Sequence, residues 1–400
     1  MKNLLVAQSG GPTAAINASL AGVISKAKEK KEIDKIYGAL NGIEGIFNER
    51  ILELSNLDLK LLKQTPSAYL GSCRKKLPDI TKDEQTYQDI FSYFAKHNIG
   101  YFIYIGGNDS MDTVCKLSDY ATEHHLDVKI IGVPKTIDND LANTDHTPGF
   151  GSAAKYVATT VSEITEDSLV YDLKSVTIVE IMGRHAGWLT AASALARNEH
   201  RAAPQLIYLP EVDFSKEQFI KDVKDQFQRG GNHIIIAVSE GIHDENGTLI
   251  CEGEASAADS FGHAMLSGAG KVLENLVKKE IGCKARSVEL NVCQRCAGHL
   301  LSETDISEAF LIGEMGVGAA ISGKTGEMMV FTRVSDAPYT IKVEGADIHG
   351  SANVEKRVPK EWIINGNDIT SDLITYLRPL ISGQTPILFR QDGLPEYLYR

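Results

Sequence analysis

Two glycine-containing segments of this sequence could bind a phosphate group. The SGGPT segment at residues 9–13 follows an apolar run at 4–8, and the GGNDS segment at 106–110 follows another at 101–105. Adjacent glycines let backbone N–H groups approach an anion closely, and a helix that begins at such a turn directs its positive end toward it. Either segment would equally suit a tight turn, and Asp109 could be a simple helix N-cap. Neither segment decides the chemistry alone.

A third segment, PKTIDND at residues 134–140, is more informative because several reactive groups directly follow an apolar run at 129–133. It contains the amine of Lys135, the hydroxyl of Thr136 and the carboxylate of Asp138. A surface loop could have this composition by chance, but charges at the end of a buried strand usually serve a ligand, because burying them unpaired is costly. A carboxylate can accept the proton of an attacking alcohol, while lysine and Mg²⁺ neutralise phosphate oxygens. The segment therefore indicates phosphoryl transfer.

Arginines accompany two further apolar segments. Arg184 lies in an MGRHAG segment that ends one of them, and Arg286 and Arg295 flank the other at residues 287–292. Arginine can bind phosphate through two parallel hydrogen bonds, which suits a sugar phosphate. Taken singly, each arginine is more simply explained by a surface ion pair. His185 has no visible partner in the sequence, and we expect it to have a packing or supporting role.

The elements that must position these groups alternate between short apolar segments and longer amphipathic ones. Strands are predicted at residues 4–8, 101–105, 129–133, 175–182, 205–209, 233–238 and 287–292, and helices at 13–31, 110–125, 151–169, 214–229 and 263–280. Several strands are apolar on both faces, as buried parallel strands require. The pattern predicts an α/β fold of two doubly wound lobes with mostly parallel sheets and a cleft between them. Ligands bind such sheets at the carboxyl ends of the strands, so the polar turns should converge.

Composition excludes several classes of protein. The chain of 400 residues has a formal net charge of −12, so a nucleic acid is a poor partner and an anionic substrate needs a local cluster of cations. The apolar run near the start is too short for a signal-peptide core, and no stretch predicts a membrane span. Six scattered cysteines indicate reduced thiols in a cytoplasmic protein. We expect Cys293 and Cys296, which form a CxxC, to be partly buried thiols rather than metal ligands.

The chain resembles the phosphofructokinase family in the order of its segments. These are SGG, GGNDS, PKTIDND and MGRHAG, and then a strand that is followed by Gln294 and Arg295. The resemblance runs from residue 4 to about residue 300, and TIDND and MGR are its most specific parts. It implies a donor-binding lobe at 1–150 with a return segment after about 296, and a sugar-phosphate-binding lobe at 151–295. Residues 330–400 are a C-terminal extension to which the sequence gives no role.

The resemblance also implies roles for individual residues. Asp138 would be the general base on the C1 hydroxyl of the sugar, Arg184 would steady the transferring phosphoryl group, and Asn108 would bind Mg²⁺. The catalytic set is Asp138, Lys135, Asp109 and Arg184. The donor set is Gly11, Arg74, Gly107 and Asp109. The sugar-phosphate set is Thr136, Ile137, Asp138, Met182, Gly183, Arg184, Glu240, Arg286, Val292, Cys293, Gln294 and Arg295.

The donor implied by the resemblance is inorganic pyrophosphate. ATP-dependent members of the family carry glycine where this chain has Asp109 and Lys135, whereas pyrophosphate-dependent members resemble it at both positions. An aspartate would put bulk and negative charge where the α-phosphate of ATP passes, and a lysine would hold the small, highly anionic donor. The implied reaction converts fructose 6-phosphate to fructose 1,6-bisphosphate reversibly, in glycolysis and gluconeogenesis.

The chain departs from the family pattern at two positions. Asn108 replaces the usual metal-binding aspartate, although an amide oxygen can still coordinate Mg²⁺. Val292 replaces a histidine near the sugar phosphate, and Ser175 stands where a neighbouring subunit of the family supplies an arginine. Because these differences alter the contacts to the 6-phosphate, sedoheptulose 7-phosphate could be a second acceptor. Arg286 reaches across a subunit interface in the family, which implies a homodimer or homotetramer.

Three other functions compete with this one. An ATP-dependent phosphofructokinase would have the same fold. A non-catalytic phosphosugar-binding regulatory subunit is suggested by the amide at position 108. A nicotinamide-dependent dehydrogenase has little support, because no GxGxxG follows the first strand. The sequence leaves open the breadth of acceptors, the size of the oligomer and any effector.

Overall fold

The structure, a computed structural model, describes residues 1–251 and 268–400. The strands are β1 Lys2–Gln8, β2 Ile33–Ala39, β3 Ile51–Glu53, β4 Ile99–Gly106, β5 Lys129–Pro134, β6 Ser175–Ile181, β7 Leu206–Tyr208, β8 His233–Ser239, β9 Lys284–Glu289, β10 Glu327–Asp336, β11 Tyr339–Asp347, β12 Ile363–Ile364 and β13 Asp368–Ile369. The helices are α1 Ile16–Lys28, α2 Ile43–Phe47, α3 Leu59–Gln64, α4 Glu84–Lys96, α5 Asn108–Glu123, α6 Phe150–Ser168, α7 Trp188–Ala192, α8 Lys216–Gln228, α9 Ala269–Glu280, α10 Cys293–Cys296, α11 Glu303–Ile321 and α12 Ser371–Leu377.

The predicted α/β class and its mainly parallel sheets are confirmed. Two predicted elements are displaced. The first helix begins at Ile16 rather than at residue 13. The strand predicted at 287–292 is β9, which runs from Lys284 to Glu289. Of the helix predicted at 263–280, the first five positions lie outside the described residues, and α9 begins at Ala269.

The chain divides into two compact units. The first unit comprises residues 1–152, 295–355 and 382–400, and the second comprises 153–294 and 356–381. Residues 330–400 are therefore shared between both units, and their longest strands belong to the sheet of the first.

The sheet of the first unit has the strand order β11-β10-β5-β4-β1-β2-β3. Its inner strands are parallel, and β3 and β11 pair antiparallel at the two edges. Gln8 pairs with Ile105, and Gly106 pairs with Pro134, so β1, β4 and β5 end at the same edge. Apolar clusters with fully buried members lie against the sheet, one with α4 and α5 and the other with α1 and α11.

Two glycines let α1 and α11 approach each other closely. A Cβ on Gly22 would lie 2.0 Å from the carbonyl oxygen of Phe310, and a Cβ on Gly313 would lie 2.2 Å from that of Ser19. Any side chain at either position would push the helices apart. This contact holds α1, which follows the SGGPT turn, firmly against the sheet.

The sheet of the second unit has the strand order β7-β8-β6-β9, and all of its pairs are parallel. Ile181 pairs with Ser239, and Glu180 pairs with Glu289, so β6, β8 and β9 also end together. Its core includes the buried side chains of Ile178 and Ile236. Within residues 1–251 and 268–400, no helix combines the length and the apolar character needed to span a bilayer.

Candidate active site

The three phosphate-binding turns predicted from the sequence meet at one edge of the first unit's sheet. The hydroxyls of Ser9 and Ser110 are hydrogen-bonded to each other, which joins the turn after β1 to the turn after β4. The backbone N–H of Lys135 donates to the carbonyl of Gly106 at 2.9 Å, which joins the turn after β5. The predicted convergence of the turns is confirmed.

Lys135 is the buried charge at the centre of this edge, with a relative exposure of 2%. Its Nζ donates to the carbonyl oxygen of Gly11 at 2.7 Å. Gly10 has a φ of +79°, and a Cβ at that residue would lie 3.0 Å from the same Nζ. The SGGPT turn therefore needs glycine both for its backbone conformation and for room beside the lysine.

Burial lowers the pKa of Lys135 from 10.5 to about 8. The carboxylates of Asp138 and Asp140 oppose this change, and the guanidinium groups of Arg295 and Arg74 reinforce it. An amine with such a pKa changes its charge near neutral pH, so its protonation depends strongly on an anionic ligand.

Arg295 brings a second cation to the SGGPT turn. One guanidinium nitrogen lies 3.6 Å from the point that a Cβ on Gly11 would occupy. Arg74 is exposed and belongs to a loop whose Ser72 hydroxyl donates to the carbonyl of Gly10 at 2.6 Å. Lys135, Arg295 and Arg74 thus surround two glycines with positive charge. A cluster of this kind suits the anionic ligand for which a chain of net charge −12 needs local positive charge.

Asp138 is held by a short hydrogen-bonded turn. The hydroxyl of Thr136 donates to Oδ2 of Asp138 at 3.1 Å and accepts from its backbone N–H at 3.1 Å. Thr136 is fixed in turn, because its carbonyl accepts from the hydroxyl of Thr147 at 2.8 Å. Ile137 is buried, and Asn139 is fully buried with a φ of +55°. The turn is therefore a fixed support for a half-buried carboxylate rather than a loose surface loop.

The start of α5 excludes one of the roles that the sequence left open for Asp109, that of a helix N-cap. Its N-cap is Gly107, so Asp109 is not the capping residue. Instead the Asp109 carboxylate forms an ion pair with Lys76 at 2.8 Å. Oδ1 of Asn108 accepts from the backbone N–H of Asn353 at 2.9 Å.

Sequence reasoning missed both of these partners. Lys76 could have been found, because it stands two residues after Arg74 in a short basic run. Asn353 gave no signal, since it is far away in the chain from the helix it contacts.

Oxygen ligands for Mg²⁺ are available on this edge. Asn108 and Asp109 lie in the first turn of α5, and Asp138 and Asp140 lie in the turn after β5. Mg²⁺ prefers carboxylate, carbonyl and water oxygens. The amide oxygen of Asn108 has two lone pairs, so it can accept from Asn353 and still bind a cation. The chemistry of these oxygen donors therefore suits Mg²⁺.

In the second unit, the MGR segment is fixed by two polar side chains from neighbouring strand ends. The N–H of Met182 donates to Oε1 of Gln294 at 3.3 Å, and the N–H of Gly183 donates to Oε1 of Glu240 at 3.3 Å. Gly183 has a φ of +147°, and a Cβ there would lie 2.7 Å from the carbonyl oxygen of Ala186. The backbone at this point admits only glycine.

Arg184 lines a cavity of about 370 Å³ within the second unit. His185, His243 and Arg357 line the same cavity. His185 is exposed, so of the packing or supporting role expected for it the packing role is wrong, and the supporting role stays a prediction. Four side chains with basic nitrogens suit an anionic ligand.

Cys293, Val292 and Arg286 of the sugar-phosphate set are exposed or lie away from the MGR segment, and Cys296 is exposed as well. Cys293 and Cys296 are both exposed, so the expectation that they are partly buried is wrong. Val292 is 48% exposed. Arg286 pairs with Thr177 at a distance from the strand ends, and its guanidinium contacts Asp167 at 3.4 Å. The second unit does not bring Arg286 to its MGR segment.

Comparisons with known proteins agree with this geometry. A pyrophosphate–fructose 6-phosphate 1-phosphotransferase from Xanthomonas campestris pv. campestris is 42% identical, covering 99% of this chain and 95% of that protein. One from Halomonas elongata is 39% identical, covering 98% and 95%. The crystal structure of a pyrophosphate-dependent phosphofructokinase from Nitrosospira multiformis is similar with a TM-score of 0.90 at 37% identity, covering 99% of this chain and 96% of that chain. A family model described as Phosphofructokinase matches residues 3–314. The chain belongs to the phosphofructokinase family.

Proposed function

We propose that this chain transfers a phosphoryl group from inorganic pyrophosphate to the C1 hydroxyl of fructose 6-phosphate, giving fructose 1,6-bisphosphate and phosphate. The observation that carries this proposal is the buried amine of Lys135, hydrogen-bonded to Gly11 at the edge where the phosphate-binding turns meet. The similar proteins from Xanthomonas campestris and Halomonas elongata are named for this reaction, which supports the proposal.

The first unit would supply the donor site and the base. Lys135 and Arg74 bind the diphosphate and neutralise the charge of the leaving phosphate. Arg295, which the resemblance assigns to the sugar phosphate, lies beside the same glycine turn and adds positive charge there. Asp138 accepts the proton of the C1 hydroxyl. The hydroxyl oxygen forms a bond to phosphorus as the bond between phosphorus and the leaving phosphate breaks. Thr136 orients the Asp138 carboxylate through the hydrogen bond at 3.1 Å.

Members of the family typically use Mg²⁺. Asn108 and Asp109 are the residues of this chain that would hold it at the start of α5. When bound, the cation neutralises charge on the diphosphate oxygens. The ion pair of Asp109 with Lys76 keeps this carboxylate beside the donor loop.

The second unit would supply most contacts to the sugar phosphate. We assign them to Met182, Gly183, Arg184, Glu240 and Gln294, whose backbone and side-chain hydrogen bonds already fix one another. Preorganised contacts of this kind lower the entropic cost of aligning an acceptor for in-line transfer. Arg184 would steady the transferring phosphoryl group.

The choice of pyrophosphate over ATP rests on Asp109 and Lys135. Asp109 puts a carboxylate in the first turn of α5, where a nucleotide's α-phosphate would be repelled. Lys135 provides a fixed ammonium for a small donor.

We also propose that the enzyme is a cytoplasmic homodimer or homotetramer. Exposed apolar side chains follow α6, at Leu169, Val170, Tyr171 and Leu173. A run of exposed apolar side chains is typical of an interaction surface. Arg286 contacts Asp167 immediately before this run, which suits a role at an interface.

The test is the rate of fructose 1,6-bisphosphate formation with Mg²⁺ and either pyrophosphate or ATP at matched concentrations. We expect turnover with pyrophosphate, and the double variant Asp109→Gly/Lys135→Gly should lose most of that preference. Turnover with ATP alone would overturn the donor assignment while leaving the family intact. Turnover by the purified chain that a chelator abolishes would exclude the alternative of a non-catalytic regulatory subunit.

A further inference from the structure

Three potential metal ligands meet on the first unit, where α5 contacts the turn after β11. They are the thiol of Cys115, a carboxylate oxygen of Asp119 and a ring nitrogen of His349, and these atoms all lie within 4.8 Å of one another. Cys115 and Asp119 are one helical turn apart on α5, so they share a face. Nε2 of His349 lies 3.1 Å from Asp119, and Sγ of Cys115 lies 3.7 Å from Asp119.

The His349 ring is already oriented as metal-binding imidazoles are. Its Nδ1 lies 2.7 Å from Oδ1 of Asp347, and the same oxygen accepts the backbone N–H of His349 at 3.0 Å. A carboxylate behind the imidazole fixes the ring and makes the opposite nitrogen a better ligand. Here that opposite nitrogen is the one that faces Asp119.

We propose that Cys115, Asp119 and His349 form a binding site for Zn²⁺ or a similar borderline-soft divalent cation. A thiolate and an imidazole select such a metal against Mg²⁺, which prefers oxygen ligands. Three protein ligands leave one tetrahedral position for water. The site is separate from the oxygens assigned to Mg²⁺, because Cys115 lies about two helical turns after Asn108 on α5.

Metal binding at this site would fasten the segment at 347–355 to α5. That segment already contacts the start of the helix, because Asn353 donates its N–H to Asn108 at 2.9 Å and its side-chain amide to Asp112 at 3.0 Å. A metal that holds His349 against the middle of the helix restrains both contacts. We therefore expect the bound metal to raise the melting temperature, since a ligand that binds only the folded state stabilises it.

The experiment measures Zn²⁺ binding to the full chain by equilibrium dialysis, and Co²⁺ binding by the thiolate charge-transfer absorption. We expect Cys115→Ser and His349→Ala each to lower the Zn²⁺ affinity at least tenfold, and Asp347→Asn to lower it about tenfold. The matched control is Cys283→Ser, another half-buried thiol, which should bind Zn²⁺ as the wild type does.

The Co²⁺ band should disappear in Cys115→Ser and persist in Cys283→Ser. Equal Zn²⁺ affinity in the wild type and Cys115→Ser would overturn the proposal. Binding that survives Cys115→Ser but is lost in Cys296→Ser would also overturn it, by placing the metal at the exposed CxxC pair. Each of these variants lies outside the machinery assigned to Lys135 and Asp138, so retained turnover without added Zn²⁺ shows that it is folded.

Discussion

A buried cation near the strand ends of the first unit can be compared with two buried carboxylates near the strand ends of the second. In the first unit the cation is the amine of Lys135, whose pKa is lowered to about 8 by burial. In the second unit the carboxylates are those of Glu180 and Glu211, whose pKa values are raised by burial. Glu180 accepts backbone N–H groups from Gly268 and Gly270 at 3.1 and 2.7 Å.

The difference teaches which charges are structural and which serve a ligand. Glu211 likewise accepts the N–H groups of Gly187 and Val358, at 2.8 and 2.9 Å, so these carboxylates hold loops by satisfying backbone donors. An ammonium has three donors, and Lys135 gives one to the carbonyl of Gly11. A phosphate oxygen can bind the same ammonium. Glu180 and Glu211 fix the backbone, whereas the charge of Lys135 can serve a ligand.

The largest effect should come from removing the proposed base. We expect Asp138→Asn to lower turnover about 10²–10⁴-fold with little change in the KM for fructose 6-phosphate, because an amide cannot accept the proton. Initial rates over a range of sugar-phosphate concentrations measure this. Asp140→Asn, in the same turn, is the control and should retain more turnover. If turnover of Asp138→Asn stayed within a few-fold of the wild type, Asp138 would not be the base.

Lys135→Met should separate function from stability. We expect turnover with pyrophosphate to fall about 100-fold, since the fixed charge on the donor is lost. The free energy of unfolding at pH 7 should rise by about 1–3 kcal/mol, because a buried charge with a lowered pKa is replaced by an apolar chain of similar length. Lys129→Met, on the same strand but half-buried, is the matched control and should change neither quantity much. A less stable Lys135→Met protein would contradict the comparison.

The carboxylates of the second unit should show the reverse behaviour. Glu211→Ala leaves the N–H groups of Gly187 and Val358 without their acceptor, so we expect the free energy of unfolding to fall by about 2–4 kcal/mol. The KM for pyrophosphate should stay unchanged in protein that remains folded. Denaturant unfolding measures the loss, with the exposed Glu199→Ala as control. A stability equal to the wild type would show that Glu211 does not secure these loops.

The smallest effect is a dependence of stability on pH. The folded pKa of Lys135 is about 8 and its ordinary value is 10.5, so between these values the unfolded chain binds the extra proton. The contribution of Lys135 to stability therefore rises with pH across this window. The gap in unfolding free energy between Lys135→Met and the wild type should narrow as pH rises above about 8. A gap that is constant from pH 7 to pH 10 would show that the lysine is not desolvated.

Sequence patterns predicted the convergence of the turns because each turn directly follows a buried apolar strand. Neighbouring parallel strands end at one edge, so the order of segments along the chain is enough to place Gly11, Gly107 and Lys135 together. The roles assigned to single residues of the site remain predictions, since they came from resemblance rather than from such a rule.

Other features could not be predicted because they depend on packing between distant segments. In β2, Asp34 and Lys35 are adjacent and both exposed. Polar and apolar residues therefore do not alternate, and the segment is not continuously apolar either, so neither pattern used to predict strands is present. The exposure of Cys293 depends on a one-turn helix that no local signal specifies. The contact of Asn353 with Asn108 joins remote segments through backbone and amide groups, which leave no mark in an apolar pattern.

The pairing of β10 with β5 also determines the order in which the two sheets can be completed while the chain is synthesised. The strands that carry the SGGPT, GGNDS and PKTIDND turns leave the ribosome first, but β10 emerges only after all four strands of the second sheet. Pairing between strands so distant in sequence is slow, because a long loop must close first. The sheet of the first unit, whose synthesis begins first, is therefore completed last. Until β10 pairs with β5, that edge of β5 remains accessible to strands of other chains.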